Sequence, residues 1–141
     1  MIHKILVPVD GSRTTERTIA ALIKHRQRFS VPLTLLHVID LERLAYRMIP
    51  DFQVSMVREH AQKAGENLLR QTHERLVHDG VAAHTRLEFG SPRELIPRIA
   101  NEEEFDLLII GRRWQGEIRD VLFGSVANHV LHHVVCPVLL F

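Results

Sequence analysis

Residues 4–12 read Lys4-Ile5-Leu6-Val7-Pro8-Val9-Asp10-Gly11-Ser12, and their order decides the fold class. Ile5 to Val9 is a nearly continuous apolar run. Such a run suits a strand buried on both faces of a parallel sheet, whereas a half-exposed hairpin strand would alternate. Asp10 and Gly11 turn the chain, and the Ser12 hydroxyl can cap the helix that follows. Ile19, Leu22, Ile23 and Arg26 carry that helix toward Ser30 to Pro32, where it should fade. A buried strand feeding into a capped helix is the first half of a parallel crossover.

The same unit recurs outward along the chain. Further strand-like runs are Leu33 to Ile39, Ala83 to Phe89, Leu107 to Ile110 and Pro137 to Phe141. The runs at Leu33 and Leu107 are as continuous as the first, while the one from Ala83 alternates as an edge strand does. Between them, Val54, Val57, Ala61, Ala64, Leu68, Thr72 and Leu76 repeat every three or four residues. That spacing predicts a long helix with one apolar stripe, ended at Asp79-Gly80 by a left-handed glycine. Ser91-Pro92-Arg93-Glu94 predicts a capping box with proline at the first helical position, and Pro97 predicts a kink or a short 3₁₀ start in the same helix. Val126, Val130, Leu131 and Val134 predict a last helix after Gly124-Ser125. Leu41 to Phe52 is the least regular stretch, open to three readings: a loop folded on its own surface, a flap over a ligand, or a contact for another chain. The expectation is an α/β fold in one domain, 1–141: an open, five-stranded parallel sheet with helices on both faces.

Composition bounds the function. A chain of 141 residues, 45% hydrophobic and 25% charged, can bury its own core, which excludes a disordered tail. A net charge of +1 with scattered arginines provides no field for nucleic acid, and no long segment is free of charge, so neither a nucleic-acid partner nor membrane insertion is expected. Cys136 is the single cysteine, and Met1-Ile2-His3-Lys4 does not open a secretory signal. The expected location is cytoplasmic.

Open α/β sheets gather ligands at the carboxyl ends of their strands, where neighbouring connections leave in opposite directions. Two loops stand at such ends: Val9-Asp10-Gly11-Ser12, and Gly111-Arg112-Arg113-Trp114-Gln115-Gly116 running on to Gly124-Ser125. Glycines ahead of a helix let backbone N–H groups face an anion, and the helix dipole adds about 0.3–1 kcal/mol. Phosphate suits that environment. Asp10 would repel phosphate but suits a ribose hydroxyl or the donor edge of a base, so the two loops together point to a nucleotide. Glycine at Gly11, Gly90, Gly111 and Gly124 is also common for backbone reasons alone.

The whole chain resembles single-domain members of the universal stress protein family. The residues that carry the resemblance are the opening stretch from Lys4 to Ser12, Leu35-Leu36-His37-Val38, Gly124-Ser125-Val126-Ala127 and Cys136-Pro137-Val138-Leu139-Leu140. The resemblance implies the adenine nucleotide alpha hydrolase-like architecture with strand order 3-2-1-4-5. It also implies a homodimer in which the last strands, here Pro137 to Phe141, pair. The nucleotide-binding branch of the family carries G-x2-G-x9-G-[ST] and holds ATP between the ends of strands one and four. Carried onto this sequence, Pro8, Val9, Asp10 and the backbone of Val38 would meet adenine or ribose. Gly111, Gly124, Ser125 and Val126 would cradle phosphates, with Mg²⁺ accompanying a triphosphate.

One position departs from that pattern: Trp114 replaces the second glycine. If that glycine serves a positive φ, the indole costs about 1–2 kcal/mol; if it serves close approach to phosphate, the indole stands in the way. Gly116 could take over the flexible position, and Arg112 and Arg113 could offer forked donors to a phosphate. The expected ligand is therefore ATP, ADP or AMP in a regulatory role. Two alternatives stand beside it: a dimer that binds no nucleotide and acts through protein contacts, which Trp114 favours, and, less favoured, a slow ATPase, for which the two loops offer no evident general base apart from Asp10, placed by the resemblance at the other end of the ligand.

Other constellations are weaker. His129, His132 and His133 have helical spacing that metals use, but no carboxylate or cysteine ligand stands beside them, so surface histidines and no metal are expected. Ser125 and His129 could share a helix face, yet the nucleophile elbow G-x-S-x-G is missing and no catalytic residue is assigned. His37 is expected to bond to backbone, and Cys136 to pack as a small core residue.

Overall fold

β1 (Ile5–Pro8) lies at the centre of a five-stranded parallel sheet, flanked by β2 (Leu33–Asp40) and β4 (Leu107–Ile110). β3 (Ala83–Gly90) pairs outside β2 and β5 (Val138–Leu140) outside β4, so the order is β3-β2-β1-β4-β5. The computed structural model describes residues 2–40, 51–111 and 125–141. Its helices are α1 (Arg13–Lys24), α2 (Asp51–His78), α3 (Pro92–Glu102) and α4 (Ser125–His133), with a 3₁₀ turn at Arg26–Arg28.

Alternation along the strands builds two cores, one on each face. Ile5, Val7, Leu33, Leu35 and Ile109 pack with Ile19 and Leu22 of α1 and with Leu69 and Leu76 of α2. On the other face Leu6, Leu36, Val38 and Leu108 pack with Ile96 and Ile99 of α3 and Val130 of α4. Both faces are apolar and buried, and full burial of each such side chain is worth about 1.5–3 kcal/mol. This explains why the strands read as continuous apolar runs. β3, on the edge, is buried only at its first residue, in keeping with its alternating sequence.

Helix ends follow their capping residues. Ser12 accepts the Thr15 N–H at the start of α1. Gly80, at φ +84°, ends α2 in a Schellman turn: Val81 N–H reaches Leu76 C=O at 2.8 Å, and Gly80 N–H reaches Val77 C=O at 3.0 Å.

Several expectations are corrected. Ser91 does cap α3 with Pro92 at its first position, but its side chain makes no capping hydrogen bond. Pro97 produces no 3₁₀ turn; α3 is α-helical from Pro92 to Glu102, with Pro97 buried inside it. The apolar stripe of α2 divides: Thr72 and Leu76 enter the core, whereas Val54 is 43% exposed and the residues between line a cleft. The segment from Leu41 to the start of α2 lies outside the described residues.

Candidate functional site

The turn after β1 is held by its own side chains. Asp10 Oδ1 accepts the Ser12 N–H at 2.8 Å and the Thr15 hydroxyl at 2.8 Å, while Asp10 N–H donates to Thr15 Oγ1 at 3.0 Å. This Asx turn merges with the N-cap of α1, so the residues that start the helix also orient the carboxylate. Burial, the largest single influence on Asp10, pushes its pKa up. It is outweighed by hydrogen bonds from the Ser12 side chain and backbone and the Thr15 hydroxyl, with a further electrostatic contribution from His37, and the carboxyl sits below the usual aspartate value. Asp10 is therefore an anion at neutral pH, its carboxylate oriented by Ser12 and Thr15.

The turn after β4 packs against the same helix. A Cβ at Gly111 would stand 2.3 Å from Thr18 Oγ1, 2.6 Å from Thr14 Cγ2 and 3.1 Å from Thr14 C=O. Only glycine lets β4 end there. Its requirement is close approach to α1, not an unusual φ, because the positive-φ glycines of the described chain are Gly80 and Gly90. Gly11 is different: nothing lies within 4 Å of a Cβ built on it.

Pro8, Val9, Asp10, Val38, Gly111, Ser125 and Val126 all line one cavity of about 1160 Å³. That exceeds the ~300–1,000 Å³ common for small-molecule sites. Ser125, Val126 and Ala127, the first residues of α4, line the cavity, so the positive end of that helix borders it. The cavity straddles the crest of the sheet. Leu36, Val38, Ile96 and Val130 give it an apolar wall on the α3/α4 side, and Val57, Ala61, Ala64 and Leu68 of α2 close the other. Arg112, Arg113, Gly116, Gly124 and Trp114 lie outside the described residues.

Sequence reasoning missed the α2 wall and the threonines. Gly65 was the available signal: a glycine within a 28-residue helix is costly unless something approaches it. Here a Cβ would meet His37 Cδ2 at 2.9 Å and Leu87 Cδ1 at 3.0 Å. Thr14, Thr15 and Thr18 repeat on one side of α1, where they serve Asp10 and Gly111.

The remaining groups have plain roles. His37 Nδ1 lies 2.9 Å from Val9 C=O, and because a carbonyl only accepts, Nδ1 carries the proton. His129 and His133 stack at 3.9 Å, and no metal-binding cluster occurs among the described residues. Cys136 is half-buried, and burial pushes its thiol pKa up, as for an unreactive packing residue. Glu103 pairs with Arg86 at 2.7 Å, so the acidic end of α3 is tied to β3. Among the described residues, no helix is long and apolar enough to cross a membrane.

Comparison with known proteins adds the following. A model of the universal stress protein family matches residues 1–141. The chain is 27% identical to universal stress protein YxiE of Bacillus subtilis, over 99% of both chains. It is 32% identical to a putative universal stress protein of Staphylococcus aureus (strain USA300), over 96% of this chain and 81% of the relative. Among solved structures, universal stress protein UspA of Lactobacillus plantarum superposes with a TM-score of 0.80 at 23% identity, covering 99% and 97% of the two chains. Two more share the fold and were solved with nucleotides. An Arabidopsis thaliana family protein with AMP bound has a TM-score of 0.71 at 18% identity, covering 99% of this chain and 90% of that one. An Archaeoglobus fulgidus universal stress protein in complex with dAMP has a TM-score of 0.63 at 23% identity, covering 99% and 98%.

Proposed function

This chain belongs to the universal stress protein family, and from that premise we propose that its cavity binds an adenine nucleotide as the regulatory ligand of a cytoplasmic dimer. The observation that carries the proposal is the placement of Asp10 and the N-terminus of α4 on one apolar cavity. A carboxylate suits a ribose hydroxyl or a base amino group, and a helix N-terminus suits phosphate. The aliphatic walls from Val38, Ile96 and Ala61 suit the faces of a purine. In this reading Pro8, Val9, Asp10 and Val38 meet the nucleoside, and Gly111, Ser125 and Val126 meet the phosphates. The AMP and dAMP held by the two solved relatives support the ligand class. Mg²⁺ would enter only with ATP.

Isothermal titration with AMP, ADP and ATP tests the proposal. Saturable heat near one nucleotide per chain is expected; no heat and no thermal shift at millimolar nucleotide would remove it. Trp114, standing where the family motif has glycine, favours a second reading in which the dimer acts through protein contacts alone. In that case Trp114→Gly should create nucleotide binding that the wild-type chain lacks.

The dimer reading rests on β5, the outermost strand of the sheet among the described residues. Pro137 C=O and Phe141 N–H bond to β4, so odd residues turn their backbone groups inward and Val138 and Leu140 turn theirs outward. An apolar outermost strand of this kind invites pairing with a second copy.

A further inference from the structure

We infer that the His37 side chain stops the β1–β2 ladder one rung early and thereby frees the Val38 backbone to meet the ligand. The inference rests on the nucleotide reading above and adds a positioning residue to it.

Backbone direction along β2 establishes the geometry. Leu33 N–H bonds to Ala82 C=O on the β3 side, and Leu36 C=O accepts Val9 N–H at 2.8 Å on the β1 side. In a parallel strand successive residues address opposite neighbours, so Val38, like Leu36, turns its N–H and C=O toward β1. The next rung would join Val38 N–H to Val9 C=O. Among the described residues that bond is not made, and Val9 C=O instead accepts from His37 Nδ1 at 2.9 Å. β1 accordingly ends at Pro8, paired with Leu36. Val38 therefore presents backbone groups to the space beyond β1, which is the cavity it lines.

The imidazole is fixed in this position from behind. Gly65 of α2 lies so close that a Cβ would stand 2.9 Å from His37 Cδ2 and 3.4 Å from Nε2. That is the account of a glycine in the middle of α2: it lets the helix press the ring onto Val9. The adenine ring edge carries both a donor and an acceptor, and a backbone N–H and C=O on one residue match such an edge.

Amide hydrogen exchange and AMP titration on the wild-type chain and two variants test this. In wild type, the Val38 amide should exchange at least tenfold faster than the rung-bonded amides of β2. His37→Leu removes the donor and keeps bulk; Val9 C=O is then open to Val38 N–H, so Val38 exchange should slow at least tenfold and AMP affinity should fall at least tenfold. His37→Asn places an amide N–H where Nδ1 was and should restore both to within about threefold of wild type. If His37→Leu does not fold, His37→Gln, whose amide reaches the Nε2 position, replaces it and should not restore either property. Unchanged Val38 exchange, or unchanged AMP affinity, in a folded variant that lacks the Nδ1 donor would overturn the inference while leaving the nucleotide reading intact. If wild type binds no nucleotide, the reading fails and His37 loses its role toward that ligand, and the exchange data alone still decide whether it stops the ladder.

Discussion

Gly111 and Gly11 flank the same cavity, yet their side-chain hydrogens meet different surroundings. A methyl on Gly111 would collide with Thr18, which is 3% exposed and bonded through its hydroxyl to Thr14 C=O. Gly111→Ala should therefore cost about 1–3 kcal/mol in denaturant unfolding, the usual penalty for overpacking. Gly11→Ala should stay within about 0.5 kcal/mol of wild type, since no atom lies within 4 Å and no left-handed φ is required. Asp10 adds a pH signature. Its folded pKa is below the ordinary aspartate value of about 3.9, so the stability it contributes is complete above that value and disappears as pH falls through the folded pKa. The stability difference between wild type and Asp10→Asn should be flat from about pH 5 to 7 and should change in the direction of wild-type loss below about pH 4, read from urea midpoints at each pH.

Among the elements, α1 and α2 show what local chemistry decides. Ser12→Ala should cost about 1 kcal/mol by removing the N-cap of α1. Gly80→Ala should cost about 1–2 kcal/mol, because φ +84° strains any residue with a Cβ. Thermal unfolding of the two variants measures both. These boundaries were legible in the sequence because caps and left-handed turns are local, and Ser12 and Gly80 announce them. The two-faced burial of β1, β2 and β4 was legible for a similar reason: unbroken aliphatic runs have no polar face to offer solvent. At Pro97 the 3₁₀ alternative is not what forms: a proline in the second turn of α3 removes only one backbone N–H, and the α-helix runs on to Glu102 with Pro97 buried beside Ile96 and Ile99. The stripe of α2 was misread because periodicity reports which residues share a face but not what that face meets. Its lower half meets the sheet and its upper half meets the cavity.

At the scale of the molecule, the site exists because β1 and β4 are adjacent in the sheet while their following helices lie on opposite faces. That switch point brings Asp10, Gly111 and Ser125 together although they are far apart in sequence. The sequence revealed the two loops through their glycines, but the convergence needed the strand order, which family resemblance supplied. The α2 wall had no comparable sequence signal beyond Gly65. Assembly has its own test. Leu140→Pro removes an outward N–H of β5 without touching the bonds to β4, so it should convert the proposed dimer to monomer in light scattering while leaving the far-ultraviolet spectrum unchanged. A dimer that survives this substitution would place the interface elsewhere.

The most direct test of the cavity as the nucleotide site is a ¹H–¹⁵N map of the labelled protein titrated with AMP. Saturable shifts should centre on the amides of Asp10, Val38, Gly111, Ser125 and Val126, with the outer helical surfaces of α1 and α3 unmoved. Saturable shifts centred away from the carboxyl end of the sheet, or a spectrum unchanged at millimolar AMP, ADP and ATP, would contradict it.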